Sequence, residues 1–111
     1  MSESTTDTPV LDLLASMTAD SLEASSLDPE TLMLVRIAAL AAVDAPAVSY
    51  LLNIGAASQI GIDAEQVRGV LAAIAPIVGT ARVASATGKI ADALEVAIEI
   101  AEYEDEQEKG Q

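Results

Sequence analysis

An all-α fold is predicted by three observations: helix-start signals precede each long aliphatic run, no stretch alternates with the period of a strand, and apolar residues recur at helical spacing. Together they describe a compact bundle of about five to six helices over residues 9–104. Residues 1–8 are expected to be a disordered polar lead, and 105–111 a disordered acidic tail.

The elements follow in order. Thr8-Pro9 reads as an N-cap with proline at the first helical position, opening the amphipathic stretch VLDLLASM, with a second start signal at Thr18 and a close at Ser25-Ser26. Asp28-Pro29-Glu30 is a start of the same kind, with an acid near the positive end of the helix dipole. The helix it opens, to about Val43, is apolar nearly all round and belongs at the centre of the structure. Asp44-Ala45-Pro46 repeats the signal for a third helix, which Gly61 terminates. Asp63 to Gln66 has the form of a capping box for a fourth helix to Val78, with Pro76 expected to bend or end it and Gly79 beyond. The last helix, from about Thr80 to Glu104, has an apolar stripe at Val83, Ile90, Ala93, Leu94, Ala97, Ile98 and Ala101 and a candidate break at Gly88. Gly55 and Gly69 are read as points of close helix approach.

Composition narrows the function. The chain has 111 residues and is 51% apolar, above the roughly 45–50% of ordinary soluble domains, so part of its apolar surface is expected to be buried against further copies of itself. Aromatic residues are 2%, which disfavours base stacking on single-stranded nucleic acid. A net charge of -13 argues against nucleic acid and anionic membranes as partners. No apolar run approaches the roughly 20 residues of a membrane span, and MSESTTDTP has neither the basic nor the apolar region of a signal peptide, so the cytoplasm is the expected address. With no cysteine and no histidine, disulfides, thiolate nucleophiles, Cys/His metal sites and Ser-His-Asp triads are excluded, and no cofactor or metal is expected.

Two stretches carry a resemblance. LDPETLMLVRIAALAAV (27–43) and AASQIGIDAEQVRGVLAAIAPIVGTARV (56–83) resemble, in order and spacing, the carboxymuconolactone decarboxylase family, which includes the alkyl hydroperoxidase D branch. With the helix between them they cover about half of the chain. The resemblance implies a compact α-helical protomer assembling as a trimer or hexamer, and one of two chemistries: peroxide reduction by a Cys-x-x-Cys pair with Glu and His, or acid/base decarboxylation of a lactone in a pocket between helices and protomers. The reactive positions depart from the family. Leu32-Met33 stand where an Arg-Glu pair is common, Asn53 falls at the histidine, and the thiol pair would fall near Ala47 to Tyr50. Thiol peroxidase activity is therefore excluded, since a thioether such as Met33 is consumed rather than cycled.

Three residues remain as pocket candidates: Arg36, Tyr50 and Asn53. Arg36 is the single base in a strongly apolar helix, and a buried guanidinium needs a partner. The plainer reading is a salt bridge to Glu30, to Asp44 or to a neighbouring protomer; the sharper one is a clamp on a small carboxylate ligand. Tyr50 and Asn53 lie three apart on one helical face, either lining the same pocket or serving as ordinary packing and helix-surface groups. Glu65 and Arg68 read as a surface ion pair. Two functions follow: a divergent, non-redox binder or converter of a small organic acid, or a self-assembling protein-interaction module without catalysis.

Overall fold

The computed structural model describes residues 8–109. Those residues form five helices and no strand: α1 (Pro9–Ala24), α2 (Pro29–Ala42), α3 (Ala47–Gln59), α4 (Ala64–Val78) and α5 (Thr80–Lys109). The expected disordered lead falls on residues 1–7 and the end of the tail on 110–111, outside the described residues. Helix α5 continues to Lys109, past its expected end at about Glu104. From Ile90 onward that segment contains no glycine or proline until 110, and Ala, Glu and Leu are strong helix formers.

The start signals act by two different means. At α2, Asp28 accepts a 2.8 Å hydrogen bond from the Thr31 backbone N–H, and at α4 Asp63 and Gln66 close a reciprocal capping box at 2.9 and 3.0 Å. The Gln66 side-chain amide then donates to Glu30, tying the start of α4 to the first turn of α2. Thr8 and Asp44 do not cap as expected. The Thr8 hydroxyl donates to the Asp12 carboxylate, and α3 starts behind Pro46 with no side-chain cap. Asp44 lies instead in the left-handed region, φ 56°, where it turns the chain from α2 into α3.

Three other expectations are corrected. Helix α1 does not restart at Thr18, whose hydroxyl donates back to the Leu14 carbonyl within a continuous helix. Gly88 does not break α5, while Pro76 stands in the last turn of α4, which ends at Val78 before Gly79 as expected. A Cβ built at Gly55 or Gly69 meets nothing within 4 Å, so neither marks a close helix approach inside the chain.

Helix α2 is central, as its all-round apolar character predicts: it packs on α3, α4 and α5. Helix α5 also packs on α3 and α4, whereas the backbones of α3 and α4 stay apart. One core cluster, around Ala41, Tyr50, Ile54, Leu71, Ala86 and Ile90, draws on all of α2 to α5; a second, Leu32, Met33, Ile37 and Ala57, joins α2 to α3, with Val67 and Val70 of α4 against it. Val67 borders both. The core is thin, since Tyr50 and Ile37 are its only large side chains with essentially no exposure among the described residues.

Helix α1 stands apart. It contains no buried residue and its backbone approaches none of the other helices.

Candidate functional site

The three predicted pocket residues occupy three different environments. Arg36 is half-buried, and its Nη2 donates to the Ser21 hydroxyl of α1 at 3.0 Å, rather than to Glu30 or Asp44. The helix is less enclosed at this position than its composition implies, because α1 supplies only this contact and no apolar cover. Asn53 donates from its side-chain amide to the Ser49 carbonyl one turn back on its own helix, at 2.8 Å. Tyr50 is fully buried in the α3–α5 core, with no hydrogen-bond partner for its hydroxyl. Burial, with a smaller contribution from the Asp44 carboxylate, raises its pKa above the ordinary 10.0. None of the three lines either of the two cavities described below.

A polar cluster forms instead where α2 turns into α3. The Ser85 hydroxyl donates to Asp44 Oδ1 at 2.7 Å and Lys89 Nζ donates to the same oxygen at 3.0 Å. Lys89 also donates to the Ala45 carbonyl at 2.9 Å, and Arg82 Nη1 donates to the Ala42 carbonyl at 2.6 Å. Arg82 thus satisfies a carbonyl at the negative end of α2, which has no basic residue in its own last turn, and Lys89 satisfies one in the turn that follows. The Ser85 hydroxyl and then the Lys89 ammonium hold the Asp44 carboxyl below its ordinary 3.8. Every polar group here is occupied by the chain itself, so the cluster is a clamp. The sequence places Arg82, Ser85 and Lys89 three and four apart on one face of α5, but not that face against Asp44.

The principal cavity lies where the backbones of α3 and α4 stay apart. It has a volume of about 320 Å³ and is walled by Ile54 and Ala57 of α3, Ile62 and Asp63 of the connecting turn, Val67, Arg68 and Leu71 of α4, and Ile90, Ala91 and Leu94 of α5. Its chemistry is aliphatic, with Arg68 as its cation; Asp63 is already engaged in capping α4. The predicted Glu65–Arg68 pair is not formed. Arg68 is exposed and makes no hydrogen bond or ion pair among the described residues, and Glu65 beside it is exposed as well. A smaller cavity of about 190 Å³, walled by Ala47, Val48, Leu51, Asp92, Ala93 and Val96, lies elsewhere between α3 and α5.

The outer surface carries large apolar side chains as well as the chain's many carboxylates. Val10, Leu11, Leu13, Leu14, Met17 and Leu22 of α1 are each more than half exposed, as are Val48, Leu52 and Ile77. Among the described residues no group of three carboxylates could hold a metal ion, and no helix is long and apolar enough to cross a membrane.

Comparison with known proteins finds no matching family model, no matching curated protein and no matching solved structure.

Proposed function

We propose that this chain acts by binding protein, in the first place further copies of itself, through its exposed aliphatic helix faces. The observation that carries the reading is α1: a 16-residue helix with six large apolar side chains more than half exposed, resting on no other helix. An isolated helix of that length is marginal in water, and most helical stability in proteins comes from packing an apolar face. Contiguous apolar surface of this kind on a small domain is characteristic of interaction sites. The polar residues support the same reading, because the Asp44 cluster is spent on holding α2 and Asn53 on its own helix. Sedimentation velocity of the full chain at micromolar concentration tests it. A species larger than 11.4 kDa is expected, reduced to a monomer by the pair Leu14→Asp and Met17→Asp; a wild-type chain that sediments at 11.4 kDa removes the proposal.

A second reading is favoured by the cavity between α3 and α4. Its volume falls at the lower end of the range for small-molecule pockets, and an unpaired guanidinium at an aliphatic cavity suits an amphipathic organic acid. This accords with the resemblance to carboxymuconolactone decarboxylases, in a divergent member without thiol chemistry, and moves the candidate clamp from Arg36 to Arg68. Octanoate should then raise the melting temperature of the wild type and not that of Arg68→Ala. If both respond equally, Arg68 is not the anchor.

A further inference from the structure

The cavity and α1 are complementary surfaces left open on the same chain, and their chemistry pairs them. Helix α1 places Val10, Leu13, Leu14 and Met17 within one face at 100° per residue, with Asp12 and Glu23 opposite and Asp20 at the border. It contains three acids and no base. The groove between α3 and α4 is the reverse: aliphatic walls from Ile54, Val67, Leu71 and Ile90, with the unpaired Arg68 at its rim. In its own chain α1 meets α2 through one hydrogen bond, from Arg36 to Ser21, on the same face as Leu14 and Met17, and none of its residues is buried.

The accessible surface is 7605 Å², whereas a compact monomer of 11.4 kDa exposes roughly 5,800 Å². The excess reflects an extended shape, to which α1 contributes open apolar side chains. Resting on the self-association reading above, we infer that the α3–α4 groove of one copy receives helix α1 of a second copy, with Val10, Leu14 and Met17 on the aliphatic walls and Asp20 of the arm against Arg68 of the groove. An arm that leaves its own subunit to fill another's groove buries both open surfaces in one step.

The absence of cysteine from the chain makes the test direct. Met17→Cys is prepared in one copy and Ala91→Cys, an exposed position on the groove wall, in a second copy carrying a size tag. Mixed and treated with a short bis-maleimide, they are expected to give a cross-linked heterodimer, while Met17→Cys with tagged Ile77→Cys, an exposed position that does not line the groove, gives none. Arg68→Asp and Asp20→Arg are each expected to weaken self-association by about tenfold, and the double exchange to restore it. Self-association by sedimentation without the 17–91 cross-link overturns the groove assignment and leaves the broader reading standing. So does a dominant 17–17 link, or protection of the Ala91→Cys thiol by octanoate with no arm cross-link. A monomer by sedimentation overturns both.

Discussion

At the scale of the residue, the two most constrained side chains are Asp44 and Tyr50. Asp44 tolerates φ 56° because a short polar side chain pays a smaller penalty in the left-handed region, and the contacts from Ser85 and Lys89 hold it there. Its folded pKa is depressed, so the stability it contributes is complete above the ordinary carboxylate value of 3.8 and is lost as pH falls through the lower folded value. Asp44→Asn keeps the backbone preference and removes the charge. The wild type is therefore expected to unfold at higher urea concentration than Asp44→Asn at pH 6, and the gap to close below the carboxylate range; a gap unchanged down to pH 2.5 would refute the assignment. Tyr50 presents the opposite case. Its hydroxyl is buried without a partner, and removing an unsatisfied group spares its desolvation. Tyr50→Phe should leave stability unchanged or raise it by up to about 1 kcal/mol in urea titrations, where loss of a made hydrogen bond would lower it by a similar amount.

At the scale of the element, the glycines separate by conformation. Gly79 joins α4 to α5 at φ 92° and ψ 163°, a region essentially confined to glycine, so Gly79→Ala is expected to destabilise by about 1–3 kcal/mol. Gly88 lies in the interior of α5 with open space around an added Cβ, and Gly88→Ala should stabilise by about 0.5–1 kcal/mol. Thermal denaturation of the two variants reads both signs, and equal shifts would contradict this account of the corner. The caps were legible in the sequence where the capping side chain acts within its own turn, as at Asp28 and Asp63. Asp44 was misread because its carboxylate is taken by α5, more than forty residues away, which no local pattern records.

At the scale of the whole molecule, stability and association reside in different places. Ile37 is fully buried where α2 meets its neighbours, and Ile37→Ala is expected to cost about 2–5 kcal/mol of unfolding free energy. Leu14 of α1 buries nothing in its own subunit, so Leu14→Asp should leave a monomer's stability within about 0.5 kcal/mol while weakening the assembly. Urea titration and sedimentation on the same two variants distinguish the roles, and a large loss of monomer stability from Leu14→Asp would place α1 inside the core. The radius of gyration, 16.2 Å against roughly 13 Å for a compact chain of this length, reflects α1 standing off the body and the length of α5.

By itself the sequence determined the helical class, the centrality of α2, the caps at Asp28 and Asp63 and the absence of thiol and imidazole chemistry. These are set by residue type and by neighbours three or four positions apart. The tertiary structure decided that Arg36 meets α1, that Tyr50 is enclosed, that Arg68 is left unpaired, and that α3 and α4 stand apart with an aliphatic groove between them. Each of these depends on which helices touch. With a core built of small aliphatic side chains, the choice rests on shape and tertiary packing, which helical periodicity does not encode.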